Sequence, residues 1–343
     1  VKKDLLSLSK DDLIGLLKQY SEPKFRAKQL RDWLVKRSTS DFDDMLNIPK
    51  DLRDVLQREY EAYPLKVEDV QYSEDGTIKF ASRTLDDEII ETVVMKYHYG
   101  YSVCVSSQIG CAMECVFCAS AKGGLVRNLT ENEILAQILL AQQLVNDRVG
   151  HVVFMGMGEP LNNYANLVKF LEQCRDEDWG LVIGMRNITI STSGLVPQIR
   201  KLADEGLQVT LAVSLHASND KIRKRLLPIA SKYSMRDIFD AGRYYTEKTG
   251  RRVTYEYLLI KDMNSSDSDA SELAKLLKKH IAHINLIPYN PVEFLPWEAP
   301  SNEQVNKFAN MIKSAGISVT IRRELGSDID AACGQLRNKK LSK

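Results

Sequence analysis

Between residues 103 and 321 the chain alternates short, β-branched apolar runs with longer amphipathic stretches, an order that few folds accept. Strands are expected at 103–105, 151–155, 187–190, 208–214, 252–260, 283–287 and 318–321, with helices such as 131–145, 166–175, 267–279 and 302–314 between them. A helix between two strands carries the chain back to its starting end, so successive strands run parallel. Six or seven such units suit a partial or complete β/α barrel better than a small flavodoxin-like sheet. A dinucleotide fold would need a glycine fingerprint after its first strand, and the sequence has none. Ahead of this region, Leu13, Leu16 and Leu17, then Leu30, Trp33 and Leu34, recur at helical spacing, and Ser9 before Asp11 and Asp12 reads as an N-cap. Strands follow at 77–82 and 88–94, with turns at Asp75-Gly76 and Asp86-Asp87. The expected class is therefore α/β. A small helical N-terminal accessory domain (1–62) and a β-rich extension (63–97) precede a partial (β/α)6-type barrel (98–343).

In such barrels chemistry gathers at the carboxyl ends of the strands. Each unusual motif of this sequence follows an expected strand: Gln108-Ile109-Gly110-Cys111 through Cys118, Gly156-Met157-Gly158-Glu159-Pro160, Ser191-Thr192-Ser193-Gly194, Ser214-Leu215-His216, Pro288-Tyr289-Asn290-Pro291 and Asp328 to Gly334. Strands and motifs are recognised by different criteria, so their agreement predicts a shared rim.

Four of the six cysteines fall within fifteen residues, a poor plan for a disulfide framework in a large chain that is expected not to be secreted. Cys111, Cys115 and Cys118, spaced C-x3-C-x2-C, can hold three irons of a cubane and leave the fourth open to another ligand. A zinc site and chance clustering are the other readings. Structural zinc usually takes four protein ligands, and no second cysteine pair is present. Cys174 sits mid-helix, where a packing or surface role suffices. The 47 Lys and Arg against 46 Asp and Glu say nothing of a polyanionic partner. Only local basic clusters can, at 24–37, Arg223-Lys224-Arg225, Arg322-Arg323 and Arg337 to Lys340. No apolar run is long enough for a membrane span, and a cytoplasmic protein is expected.

The cysteine run with Phe117 before its last member, followed by the Gly158-Glu159-Pro160 turn, resembles the radical S-adenosylmethionine superfamily. That resemblance implies a 4Fe-4S cluster on Cys111, Cys115 and Cys118, and reductive cleavage of S-adenosylmethionine to a 5′-deoxyadenosyl radical. Further stretches resemble the RlmN/Cfr family of RNA methyltransferases across nearly the whole chain. They include residues 326–336 around Cys333, Phe154 to Leu161, Arg127 to Thr130, Ile287 to Pro291, and Glu22 to Leu30.

The family resemblance implies that Cys333 takes a methyl group from one S-adenosylmethionine, and that a radical made from a second removes hydrogen from it. The carbon then adds to adenine, and Cys104 releases the product by forming a disulfide with Cys333. It further implies Glu91 as proton acceptor and Gly158, Glu159, Ser191, Ser214, Leu215, His216 and Asn290 as cofactor contacts. The implied partners are 23S ribosomal RNA (C2 of adenine 2503), adenine 37 of some transfer RNAs, and a flavodoxin-like electron donor. Pro160, residues 253–257 and Arg322-Arg323-Glu324 favour the C2 branch over the C8 branch. Ser120, Lys122 and Ser193 depart from the usual pattern. Rival classes are a radical activase, which would need neither Cys104 nor Cys333, and a non-catalytic zinc-dependent RNA-binding module.

Overall fold

The expected alternation forms one ten-stranded sheet in the computed structural model, which describes residues 2–278, 280–292 and 294–336. The chain opens with a helical head: β1 (Lys3–Asp4), α1 (Lys10–Gln19), α2 (Phe25–Arg31), α3 (Lys50–Glu59) and β2 (Tyr60–Glu61), which pairs with β1. Next come β3 (Leu65–Tyr72), β4 (Ile78–Thr84), β5 (Ile89–Tyr97) and β6 (Gly100–Cys104), the last three each pairing antiparallel with the strand before. The ribbon of β7 (Gln108–Gly110) and β8 (Leu125–Asn128) brackets the cysteine loop.

Helices and strands then alternate: α4 (Glu131–Val145), β9 (Val149–Phe154), α5 (Tyr164–Arg175), β10 (Ile188–Thr192), α6 (Val196–Asp204) and β11 (Thr210–Ser214). They continue through α7 (Asp220–Leu226), α8 (Met235–Thr249), β12 (Val253–Leu259), α9 (Asp267–Leu277), β13 (Ala282–Pro288), α10 (Asn302–Ser314) and β14 (Ser318–Ile321). The sheet order is β14-β13-β12-β11-β10-β9-β6-β5-β4-β3, and every pair from β6 to β14 is parallel. The outer strands β3 and β14 do not pair with each other, so the barrel is partial. The three antiparallel strands lengthen the parallel sheet by way of the β5–β6 pairing, a continuity that local sequence does not announce.

Side chains alternate across each strand. Ile190, Val213, Tyr255, Tyr257, Ile284 and Leu286 face the helices and are buried; Ser191, Ser214, Glu256 and Asn285 take the opposite face, which the site uses. Cys174 is buried on α5 within the main apolar core. In the head, Leu13, Leu16, Leu17, Leu30 and Leu34 are buried as their spacing requires, and Ser9 caps α1. The basic face expected at 24–37 is largely spent inside the chain. Arg31 is buried, donating to Leu6 O at 2.9 Å and Trp179 O at 2.8 Å, so it ties the head to the barrel instead of facing solvent. Lys28 and Lys36 both pair with Asp32, at 2.6 and 3.5 Å. The cluster at Arg337 to Lys340 lies outside the described residues.

Helix α4 lies almost wholly buried and starts on a capping box, with Thr130 N–H donating to Glu133 Oε2 and Glu133 N–H to Thr130 Oγ1. Thr130→Ala removes one half of that exchange. It should lower unfolding stability by about 1 kcal/mol, read as a shifted urea midpoint with an unchanged slope; an unshifted midpoint would mean the cap is dispensable.

Candidate active site

The loops that leave the parallel strands are stitched together by buried side chains. Gln108 Oε1 accepts from Glu159 N–H at 2.8 Å, while Ser107 and Gln108 N–H donate to Met157 O at 2.8 and 3.2 Å. This brings the loop after β9 so close to β7 that a Cβ on Gly158 (φ +99°) would stand 2.5 Å from Gln108 Cβ, and only glycine fits. The Glu159 carboxylate accepts from Leu161 N–H at 3.1 Å and from Ser193 N–H at 2.7 Å, joining the β9 and β10 loops. Arg223, fully buried, donates to Ser193 O at 2.7 Å and Ser214 O at 3.2 Å, joining β10 to β11. His216 takes a left-handed backbone (φ +57°); its Nδ1 accepts from Leu258 N–H at 3.0 Å, which joins β11 to β12.

One cavity within this frame is lined by Cys111, Cys115, Cys118, Gly158, Glu159, Ser191, Ser214, His216, Asn290 and Cys333. A second holds Cys104 with Val93 and Tyr97, and shares Ile287, Asn290, Arg322 and Cys333 with the first. Cys333 therefore stands in the wall between the three clustered cysteines and Cys104. Cys104 is the last residue of β6, in register between Val93 and Val153. Leu215 is not brought to either cavity: its side chain is buried in the core, and its N–H donates to Glu256 O at 3.0 Å. Glu91 lines neither cavity. It is buried on the same face of β5 as Val93, two residues before it, and its carboxylate lies 3.8 Å from Lys79 Nζ.

Burial sets the electrostatics. It pushes the thiols of Cys111 and Cys104 up to about 12 and raises those of Cys115 and Cys118; for Cys104, proximity to Cys333 adds to the rise and Arg322 opposes it. Burial also raises the Glu256 carboxyl, against the pull of Arg322 and a hydrogen bond from Asn285 Nδ2 at 2.8 Å. Cys333 above all, then Glu256 and Cys104, hold the Arg322 guanidinium above its ordinary range. Two of the expected basic clusters are only partly on the surface. Arg223 and Arg322 point inward, one to loop carbonyls and the other to the cysteine pair, leaving Lys224, Arg225 and Arg323 as the exposed members. A guanidinium offers five donors in a fixed fork, which suits binding two loop carbonyls at once.

Gln108, Arg223, Glu256 and Arg322 were not marked for the site by sequence. Gln108 is adjacent to the cysteine run; Arg223 and Glu256 meet Ser193 and Asn285 across a strand–helix unit, and Arg322 meets Glu256 and Cys104 from distant strands as well as Cys333 on its own exit loop. Ser193, a departure within the motif after β10, brings a hydroxyl to the cavity wall, as does Tyr289. Such atoms suit a polar, nucleoside-like ligand. Among the described residues no three His, Cys, Asp or Glu side chains converge on one ion-sized point. Cys111, Cys115 and Cys118 line one cavity, and three thiols are the donor set of a cubane in which each holds its own iron. Iron would reverse the burial effect by stabilising the thiolates.

The family model of the radical SAM superfamily matches residues 105–277, which span most of the barrel. Residues 3–62 match the ribosomal RNA large subunit methyltransferase N-terminal domain. The "Probable dual-specificity RNA methyltransferase RlmN" of Alkaliphilus oremlandii is 50% identical over 341 residues, covering 99% of each chain. The protein of the same name from Lachnospira eligens is 48% identical over 98% of this chain and 96% of its own. A crystal structure of a radical SAM methyltransferase from Sphaerobacter thermophilus superposes with a TM-score of 0.91 at 43% identity, over 98% of this chain and 99% of the other. The chain belongs to the RlmN family of dual-specificity RNA methyltransferases and is a radical SAM enzyme.

Because Nδ1 of His216 accepts a hydrogen bond, the neutral ring carries its proton on Nε2. Burial, aided by Arg223, depresses its protonation to about pH 3. The unfolded chain takes up that proton near pH 6.5, so stability falls as pH drops from about 6.5 toward 3. His216→Gln should remove up to about 1.4 kcal/mol per pH unit from that acid limb, measured by urea unfolding of the metal-free chain at several pH values. Parallel acid limbs in the two proteins would contradict a buried neutral ring.

Proposed function

We propose that this chain makes 2-methyladenine in RNA, at adenine 2503 of 23S ribosomal RNA and adenine 37 of some transfer RNAs. The methyl travels on Cys333, and two S-adenosylmethionine molecules are used per product. The placement of Cys333 between the two cavities carries the reading, because one sulfur must meet first the cofactor and then a resolving thiol.

Cys111, Cys115 and Cys118 would hold a 4Fe-4S cluster, which supplies the electron for reductive cleavage of the sulfonium. The loop of Gly158 and Glu159, with Ser191, Ser214, His216 and Asn290, would bind S-adenosylmethionine. Cys333 takes a methyl group by displacement, with its thiolate as nucleophile. Once that methyl has lost a hydrogen atom, its carbon, still on Cys333, adds to the adenine ring. Glu91, beside Lys79, accepts the ring proton as the adduct gives up one electron, which would return to the cluster held by Cys111, Cys115 and Cys118 and balance the electron spent on the sulfonium. Cys104 attacks the Cys333 sulfur, and the methylene carbon leaves with the C–S electron pair and takes a proton. The cysteines end as a disulfide, which an external thiol reduces.

Residues 1–62 form the RNA-docking head in this scheme, 63–97 the sheet extension carrying Glu91, and 98–343 the catalytic barrel. Exposed Lys24 and Phe25 support the first assignment, since phosphates and unstacked bases are met by cations and rings. A flavodoxin-like protein would supply electrons. An RNA substrate places the work in the cytoplasm, and no helix among the described residues is long and apolar enough to cross a membrane.

Anaerobically reconstituted enzyme, given ribosomal and transfer RNA, should yield 2-methyladenosine on nucleoside mass spectrometry; the C8 isomer would overturn the assignment. Cys333→Ala should reduce methylation to background, Cys104→Ala should accumulate a covalent protein–RNA adduct, and Cys174→Ala should match wild type. Normal turnover by Cys333→Ala would falsify the mechanism.

A further inference from the structure

The Cys333 segment is gripped from two sides. On one, Asn290 Nδ2 donates to Cys333 O at 3.4 Å and Gln335 Nε2 to Pro291 O at 3.1 Å, both in the loop after β13. On the other is the short turn Ala119–Ala121, which starts directly after Cys118. Ala119 N–H donates to Gly334 O at 2.8 Å, and the buried Ser120 hydroxyl donates to Leu336 O at 2.6 Å. Leu336 is itself buried in an apolar cluster with Val93, Met95, Cys104 and Met157, which carries the same anchorage to the Cys104 side. The turn also reaches the β13 loop, where Lys122 Nζ stands 3.2 Å above the Phe294 ring.

We infer that Ser120 is a positioning residue for Cys333, fastening its segment to the loop of Cys118 so that placement of the reactive sulfur depends on the cluster loop being folded. The inference rests on the function proposed above. A methyl on Cys333 must meet a short-lived radical, and misplacement of the order of 1 Å is costly in such a step. A neutral, buried hydroxyl–carbonyl bond is strong enough to bias a short segment between seated and loose states. Without it the Ala119–Gly334 bond remains, so Cys333 should become more mobile while the cysteine loop keeps its iron. The departure noted at Ser120 fits this role, because the carbonyl of Leu336 needs only a hydroxyl donor.

The test compares full chains of wild type, Ser120→Ala and Ser120→Thr, reconstituted anaerobically with iron and sulfide. Ser120→Ala should carry as much iron as wild type. Its Cys333 should react with iodoacetamide roughly ten-fold faster, followed on the Cys333 peptide by mass spectrometry. The 5′-deoxyadenosine released per RNA methyl should rise by about the same factor, and Ser120→Thr should restore both values. Unchanged Cys333 reactivity and coupling in Ser120→Ala, loss of its iron, or failure of threonine to restore it would each overturn the inference. A separate arm needs no variant: in wild type stripped of iron by a chelator, Cys333 should alkylate faster than in the loaded enzyme, and equal rates would overturn the coupling. A wild type that never methylates RNA would sink the proposed function instead, while the alkylation arms still decide the role of Ser120.

Discussion

A parallel strand that ends inside a protein leaves its last backbone groups without ladder partners, and the rim loops here are too deeply buried for water to serve them. Everything at the site depends on how those groups are satisfied. Asn163 Nδ2 donates to Ser107 O and Leu129 O at 2.8 and 2.7 Å, and Asn264 Nδ2 to Leu258 O and His216 O at 2.6 and 2.8 Å. Gln108, Glu159, Arg223 and His216 complete the circuit, so each exit loop is bonded to its neighbour. An unsatisfied buried group costs about 1–3 kcal/mol, which makes these bonds strong selectors of one loop arrangement. The cavity walls are therefore set by the loops themselves, which favours preorganised binding.

The same burial governs charge. With no metal charge nearby, it favours neutral thiols at Cys111, Cys115 and Cys118; cationic iron would invert that preference. Cys104, held up at about 12, rests as a thiol, which suits a sulfur needed only in the last step of the proposed cycle. Arg322 is the cation set among Cys333, Cys104 and Glu256, and it lines both cavities. Its neighbour Arg323 is exposed, so adjacent arginines divide between the site and the surface.

Much of this was legible in the sequence because it follows from local periodicity. The strand at 318–321 and the helices at 131–145 and 302–314 fall where apolar spacing places them, and the motifs after the strands meet on one rim. What periodicity cannot express is pairing across distance. Arg31, Arg223 and Arg322 read as surface charge because an arginine's own neighbours in sequence do not reveal which carbonyl or thiol it meets after folding. The Lys79–Glu91 pair and the union of β3–β5 with the parallel sheet depend on strand register, which is set by whole faces and not by single residues. Leu215, carried as a cofactor contact by its place in a motif, turns its side chain to the core because alternate residues at a strand end face opposite ways.

The central claim is that the methyl group is carried on Cys333 and activated there by loss of hydrogen. Isotope tracing tests it directly: S-adenosylmethionine bearing a fully deuterated methyl group is supplied to the reconstituted enzyme with RNA, and both products are weighed by mass spectrometry. The account predicts an RNA methyl that has exchanged one deuterium for hydrogen, with the missing deuterium found in 5′-deoxyadenosine. An RNA methyl that keeps all its deuterium would mean direct transfer and would contradict the account.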